Sequence, residues 1–123
     1  MEMNTAKIFA EEWITAWNSH DLEKIITHYA DELEFYSPFI HALKFNDLGV
    51  IKNIADLRKY FEIGLKTYPD LHFKLHNYFV GLNTIVLYYT SVSGRIASEV
   101  FELNELGKAV KVYCNYTTEL SKY

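Results

Sequence analysis

The spacing of apolar residues changes along this chain, from about four residues in the first half to two in the second. Phe9, Trp13 and Trp17 recur every four residues, which predicts the buried face of a helix. From residue 71 onward apolar and polar residues alternate, which is typical of strands with one buried face. The change predicts an α+β domain in which helices pack on one face of an antiparallel sheet.

Three helices are expected, each beginning at a residue whose side chain can accept a hydrogen bond from the first free N–H groups. These capping residues are Asn4 or Thr5 for the first helix, Asp21 for the second and Asn53 for the third. The second helix is expected to carry Tyr29 on its apolar face, and the third to end before Pro69.

Five strands are expected around these helices. The first begins at Glu32 and ends near Pro38, and the others cover residues 71–80, 84–92, 96–103 and 109–118. Residues 41–51 show no clear period, so we expect an irregular loop there.

The composition fits one domain, which we expect to cover residues 1–123. Twelve basic and sixteen acidic residues give a net charge of −4 without charge blocks, which disfavours binding to nucleic acid. No apolar run approaches the roughly 18 residues of a membrane span, and the single cysteine excludes an internal disulfide. We therefore expect a soluble cytoplasmic protein that binds neither nucleic acid nor a membrane.

Ten Tyr, eight Phe and two Trp residues are more aromatic rings than a small core usually needs. Several fall on stripes expected to face inward, where they favour a cavity for a flat or apolar small molecule. The alternative is that the rings fill the interior completely. The expected cavity wall consists of Trp13, Trp17, Phe35, Ser37, Phe61, Phe101, Cys114 and Tyr116.

Glu99 is the main candidate for chemistry. Strand alternation places it on one face with Ala97, Phe101 and Leu103, all of them apolar. Such surroundings disfavour the charged carboxylate and raise its pKa, which suits a general acid or base. The alternative is that this face meets solvent or another copy of the chain, where Glu99 would form a surface ion pair.

The histidines do not indicate a metal site. His72 and His76 lie four residues apart on an expected strand, which separates them by about 13 Å, too far to bind one ion. We expect no metal and no cofactor.

The outward face of the expected strands is richer in charged and hydroxyl side chains, yet it keeps enough Tyr and Val to bury against a second copy. We expect a homodimer through residues 71–118. The outward positions are His72, Lys74, His76, Tyr78, Ser98, Glu102, Lys111 and Tyr113.

Four segments resemble the nuclear-transport-factor-2-like superfamily, and within it the SnoaL-like domains related to polyketide cyclases and ketosteroid isomerase. They are WNSHDL (17–22), HYADELEFYSPF (28–39), LRKYF (57–61) and FELNELGKAVKVY (101–113). The similarity spans residues 5 to about 119 and depends on the order and spacing of the segments. It implies a cone of three N-terminal helices within a curved, mostly antiparallel sheet, with a blind pocket at one end. Many members pair through the outer sheet face.

The resemblance also relates individual residues to ketosteroid isomerase. Glu99 falls where that enzyme keeps a protonated aspartic acid that donates to an oxyanion. Ser37 stands where the enzyme has its proton-abstracting aspartate, and Trp13 where it has a tyrosine. Steroid isomerisation by that mechanism is therefore disfavoured, because a serine without a partner is a poor base.

Epoxide hydrolysis in the manner of limonene-epoxide hydrolase is also disfavoured. Asn115 replaces an acid of that enzyme's Asp-Arg-Asp set, and the nearby cation Arg95 lies at a turn. His41 follows Pro38, in a loop that borders the pocket mouth in this family, and is a second, weaker candidate for carrying a proton.

We expect a SnoaL-like protein that binds a small apolar molecule and acts on it as an isomerase or cyclase through Glu99. The alternative is a non-catalytic ligand-binding or protein-adaptor module, which a single pocket acid without a partner base would also suit.

Overall fold

The computed structural model describes residues 1–118, which contain four α-helices and six strands. The α+β class and the nuclear-transport-factor-2-like cone are confirmed, with four helices instead of three. In chain order the elements are α1 (Met3–Ser19), α2 (Leu22–Ile26), β1 (Tyr29–Tyr36), α3 (Pro38–Ala42), β2 (Val50–Asn53), α4 (Ile54–Thr67), β3 (Lys74–Val80), β4 (Thr84–Thr90), a 3₁₀ turn (Val92–Gly94), β5 (Ile96–Leu103) and β6 (Ala109–Tyr116).

The six strands form one curved sheet in the order β2-β1-β6-β5-β4-β3. All neighbours are antiparallel except β1 and β6, which run parallel. The helix α1 presents Phe9, Trp13 and Trp17 to the inner face of this sheet, and all three are buried. Leu57 and Phe61 of α4 are buried in the same core. Within residues 1–118 no helix is long and apolar enough to cross a membrane.

Two of the three expected capping residues are confirmed. Asp21 accepts a hydrogen bond from the Lys24 N–H at 3.2 Å, and Asn53 accepts one from the Asp56 N–H at 2.8 Å. The expectation for α1 is wrong, because the helix begins at Met3 and both Asn4 and Thr5 lie inside its first turn.

The expected loop at residues 41–51 is also wrong in part, because α3 and β2 take up both ends of it. Ser37 accepts a hydrogen bond from the Phe39 N–H at 3.2 Å, and Pro38 occupies the first helical position of α3. A serine followed by proline therefore ends β1 and begins a helix. Both elements are too short to show a hydrophobic period.

Tyr29 lies at the start of β1 and not on α2, which ends at Ile26. Its spacing from Ile25 fits a helical face, but its backbone lies opposite Ala109 of β6. This pairing turns the Tyr29 ring into the core, where its hydroxyl accepts a hydrogen bond from Nε1 of Trp13 at 3.0 Å.

A β-bulge reverses the faces of β3. The strand begins at Lys74, so His72 precedes it, and its register against β4 shifts between Leu75 and Asn77. The extra residue exchanges the inward and outward positions that follow it. Tyr78, expected to face outward, therefore packs against the core, and Phe79 is 52% exposed.

The outer face of the sheet carries one apolar row that crosses five strands, which we call the outer row. Its members are cross-strand neighbours in succession. They are Phe79, Val86, Val100, Tyr113 and Tyr36. The rings of Tyr36 and Tyr113 stack with 5.0 Å between their centroids.

Candidate functional site

A cavity of about 70 Å³ opens between α1, α4 and the inner face of the sheet. This volume holds a few water molecules and is smaller than the roughly 150 Å³ of an engineered cavity that binds benzene, so a six-membered ring would have to extend into the open side of the cavity. Most of the expected wall residues line it, and so does Glu99. Those residues are Trp13, Trp17, Phe35, Ser37, Phe61, Cys114 and Tyr116.

Phe101 does not line the cavity, contrary to expectation. It is fully buried on β5, two residues after Glu99. Its ring packs edge-on against the rings of Phe9 and Trp13, with 5.2 Å and 5.6 Å between centroids. Its inward direction was predicted correctly, but α1 covers this part of the strand and leaves no space beside the ring.

His41 is not part of the cavity wall either. It lies on α3, and its imidazole is so close to Gly49 that a Cβ built on this glycine would lie 2.6 Å from Nε2. Residue 49 adopts a φ of +72°, which favours glycine, so both the backbone and the histidine ring constrain this position. His41 thus packs on the segment before β2, and the cavity contains no histidine among its lining residues.

Glu99 lies on the inner face of β5 with only 3% of its surface exposed. The Tyr89 hydroxyl donates a hydrogen bond to Oε1 of Glu99 at 2.7 Å. Glu99 pairs directly with Leu87 on one side and Cys114 on the other, so Tyr89 is its diagonal neighbour on β4. A tyrosine is long enough to bridge this diagonal.

Burial raises the pKa of Glu99 to about 7, and the hydrogen bonds from Tyr89 and Cys114 oppose part of that rise. None of the ion pairs among residues 1–118 involves Glu99. Near neutral pH the side chain is therefore present in both its protonated and its ionised form. A group in this state can accept a proton and return it.

Three other titratable groups of the cavity stay neutral. Burial raises the pKa of Tyr60, Tyr116 and Cys114, and the nearby Ser37 hydroxyl opposes part of each rise. Cys114 is thus a thiol and not a thiolate, which makes it a poor nucleophile. These groups can donate hydrogen bonds but do not exchange protons near neutral pH.

The exposure of the lining residues shows which side of the cavity is open. Leu43, Gly64, Tyr68 and Tyr116 are half-buried, whereas the other lining residues are buried. A Cβ added to Gly64 would meet no atom within 4 Å. The mouth therefore lies beside Gly64, between α4 and the end of β6.

Side chains at the end of α1 fix the segment that forms part of the wall. Asn18 donates to the Phe73 carbonyl at 2.9 Å and accepts from the Phe73 N–H at 2.7 Å, as a neighbouring strand would. His20 contacts the Leu71 carbonyl at 2.7 Å. Both Leu71 and Phe73 line the cavity.

Sequence reasoning missed several lining residues, above all Tyr89. The alternation of Ile85, Leu87 and Tyr89 on β4 was a usable signal, since all three face inward and are buried. The other missed residues are Phe39, Leu43, Tyr60, Gly64, Tyr68, Leu71, Phe73, Ser91 and Val92.

The part of the chain that the structure describes holds no group of three His, Cys, Asp or Glu side chains placed to bind a metal ion. His76, one of the two histidines weighed above, contacts the Thr90 hydroxyl at 2.6 Å on the outer face of the sheet.

Comparison with known proteins gives a family and a set of similar folds. A family model described as "SnoaL-like domain" matches residues 10–109. No curated protein matches the chain. Among solved structures, a SnoaL-like protein of unknown function from Burkholderia thailandensis E264 is 33% identical. That alignment covers 95% of this chain and 98% of the other, with a TM-score of 0.90.

Two more distant structures share the fold. An NTF2-like protein of unknown function from Cytophaga hutchinsonii ATCC 33406 is 15% identical over 90% of this chain and 88% of its own, with a TM-score of 0.70. The epoxide hydrolase/cyclase-like enzyme SalBIII, described for its role in pyran ring formation in the polyether salinomycin, is also 15% identical. It aligns over 98% of this chain and 97% of its own, with a TM-score of 0.74. At such identities the likeness shows the fold alone.

Proposed function

The chain belongs to the family of SnoaL-like domains, and from this premise we propose that it binds a small, largely apolar molecule and moves a proton on it through Glu99. The reaction class is that of an isomerase or cyclase. Ionised Glu99 takes a proton from an acidic carbon of the ligand, and the resulting carboxylic acid returns it at another atom of the same molecule. No oxidant, reductant or second substrate is needed for this step.

One observation carries the proposal, namely that a carboxyl group lines an aromatic cavity with a pKa of about 7. Burial is the main cause of this value, so the cavity itself tunes the group for proton transfer. Tyr89 holds the carboxyl group through a hydrogen bond to Oε1 at 2.7 Å.

A non-catalytic ligand-binding or protein-adaptor module is the second candidate. It is favoured by the fact that Glu99 is the one carboxylate among the described residues that line the cavity. Ser37 occupies the position that resembles the base of ketosteroid isomerase, and its hydroxyl already accepts the Phe39 N–H. In this case Glu99 would orient a ligand without transferring a proton.

Deuterium exchange on a simple ketone separates the two candidates. Cyclohexanone has acidic α-hydrogens, and NMR in D₂O measures their replacement by deuterium. We expect the protein to accelerate exchange above the buffer rate, Glu99→Gln to abolish this acceleration, and Glu102→Gln, on the outer face of the same strand, to retain it. Binding of cyclohexanone without accelerated exchange would support the binding module, and acceleration that survives Glu99→Gln would contradict the role of Glu99.

We further propose that the protein works in the cytoplasm and pairs with a second copy through the outer row. Cys114, the lone cysteine, is buried as a free thiol, which suits a reducing compartment. The half-buried and exposed rings of the outer row offer apolar area that a second sheet could cover.

A further inference from the structure

Arg95 places a half-buried guanidinium beside the cavity without lining it. The central carbon of the guanidinium lies 5.7 Å from the centre of the ring of Phe39, which is part of the cavity wall. Residue 95 has an extended backbone and directly precedes β5, so alternation puts its side chain on the same face as Ala97 and Glu99. The contact with the Phe39 ring favours this placement of the cation but does not neutralise its charge.

Phe39 connects this guanidinium to the mouth of the cavity. The ring of Phe39 packs edge-on against the rings of Tyr116 and Tyr68, with 5.0 Å and 6.1 Å between centroids. Both tyrosines are half-buried residues of the mouth. Tyr116 also pairs with Ala97, two residues after Arg95. Arg95 therefore lies beside the open side of the cavity, where a ligand too large for the cavity has to extend.

The guanidinium has no counter-ion in the part of the chain that the structure describes. None of the ion pairs among residues 1–118 involves Arg95, and its Nε is buried without a hydrogen-bond acceptor. Its Nη1 and Nη2 atoms donate to no described residue either, but they are not fully buried. A partly buried charge without a partner is costly, and here its terminal N–H groups remain accessible.

Arg58, the other arginine of the chain, shows what such a group can hold. It lies on α4, and both carboxylate oxygens of Glu23 accept hydrogen bonds from its Nη2. A guanidinium suits a carboxylate in shape as well as in charge, because its N–H groups form a planar fork. Arg95 presents the same fork, with no carboxylate of the described residues in it.

We propose that Arg95 binds a carboxylate of the ligand at the mouth, so that the protein selects apolar molecules with one acidic group over neutral molecules of the same shape. The apolar part occupies the cavity beside Glu99, and the carboxylate lies outside the cavity against Nη1 and Nη2 of Arg95. The inference rests on the proposed function, since it names the class of molecule on which Glu99 acts. It also gives the ligand a direction, because only its acidic end meets the cation.

A pair of ligands that differ in charge tests this selection. The compounds 4-oxocyclohexanecarboxylate and 4-oxocyclohexanecarboxamide share the ring and the ketone of cyclohexanone, and only the first is an anion at pH 7. In calorimetric titrations at low salt we expect the carboxylate to bind about tenfold more tightly. Arg95→Gln should remove this preference, whereas Arg58→Gln should keep it. Added salt should reduce the preference in the wild type, because it screens an accessible ion pair.

NMR of the arginine side chains provides a second readout with Arg95 left in place. The chain contains two arginines, so Arg58→Gln leaves the Nε–H signal of Arg95 as the only one of its kind. This signal should shift when the carboxylate is added and not when the carboxamide is added. The measurement remains informative if Arg95→Gln does not fold, and equal shifts with the two ligands would contradict the inference.

The possible outcomes separate the inference from the function on which it rests. Equal affinity for the two ligands, or a preference that survives Arg95→Gln, overturns the role of Arg95 and leaves the cavity as a binding site. Failure of both ligands to bind overturns the inference and the proposed small-ligand function together.

Discussion

The Tyr89 hydroxyl donates a 2.7 Å hydrogen bond to Oε1 of Glu99 between two antiparallel strands whose register places the residues on a diagonal. Both side chains are almost fully buried, with exposures of 2% and 3%. The bond therefore acts where solvent does not weaken it, and the charge on Glu99 depends on it more than on any surface group.

Replacing Tyr89 by Phe should raise the pKa of Glu99 above its value of about 7. The hydroxyl stabilises the ionised carboxylate, so its loss favours the protonated form, and we expect a rise of about one pH unit. Titration of the Glu99 side-chain carbon by NMR measures this directly. Tyr60→Phe is the matched control, because Tyr60 lines the cavity but does not contribute to the pKa of Glu99. A lower or unchanged pKa in Tyr89→Phe would refute the proposed coupling.

Replacing Glu99 by Gln should make stability less dependent on pH. Between pH 4.5 and about 7 the folded protein holds a proton on Glu99 that the unfolded chain has released. The free energy of unfolding of the wild type therefore falls as the pH rises through this window, and it stays reduced above it. Glutamine does not ionise, so the free energy of unfolding of the variant should lack this fall. The difference in unfolding free energy between the variant and the wild type should therefore be roughly 2 to 3 kcal/mol more in favour of the variant at pH 8 than at pH 5.

Urea unfolding at several pH values measures this difference. Glu102→Gln, on the outer face of the same strand, serves as the control and should change stability by less than about 0.5 kcal/mol. A Glu99→Gln difference that is the same at pH 5 and pH 8 would mean that Glu99 does not hold a proton in the folded state.

Gly64 allows the mouth of the cavity to be narrowed without disturbing the core. It lies within α4, and a Cβ there meets no atom within 4 Å. Gly64→Ala should stabilise the protein by about 0.5–1 kcal/mol, since alanine loses less backbone freedom in a helix. Gly64→Leu should place its side chain across the opening and weaken binding of cyclohexanone at least tenfold.

The alanine variant is the control for the leucine variant, because it changes the backbone in the same way but leaves the opening free. Calorimetric unfolding and ligand titration measure the two effects. If Gly64→Leu binds cyclohexanone as tightly as Gly64→Ala does, the entrance to the cavity lies elsewhere.

Replacing Tyr113 by Asp should produce monomers. Tyr113 is 42% exposed and stacks on Tyr36 in the outer row, so a charge there would be buried in a sheet-to-sheet dimer. Light scattering of the wild type at micromolar concentration should give about twice 14.4 kDa, and the variant should give the single mass. Leu82→Asp, at a 91% exposed turn residue away from the row, should leave the dimer intact. A wild type that is monomeric would end this proposal.

The sequence was sufficient for the elements that are long and periodic. The stripe of Phe9, Trp13 and Trp17 predicted α1, and the alternation around Glu99 predicted β5 and the burial of its carboxyl group. In both cases one repeated face carries enough apolar residues to fix the type of element. The residue types at Asp21 and Asn53 were also sufficient, because their caps are local interactions.

The errors have a different physical origin, since they depend on the partner of a segment. The reversal at Tyr78 comes from a bulge that exists only where β3 pairs with β4. Tyr89 contacts Glu99 because of the register between β4 and β5, and the sequence of either strand alone does not determine that register. Phe101 was placed in the cavity because its direction was known but the position of α1 above it was not.

The parallel pairing of β1 with β6 brings together segments that are about 80 residues apart in the chain and divides the cavity wall between them. Phe35 and Ser37 come from the early segment, and Cys114 and Tyr116 come from the late one. During synthesis the early residues leave the ribosome long before the strand that will cover them, and closing so large a loop is slow. The nascent chain therefore carries an incomplete, apolar half-site until β6 is made. A ligand that contacts both halves would bind only the paired state, and would thereby stabilise that pairing.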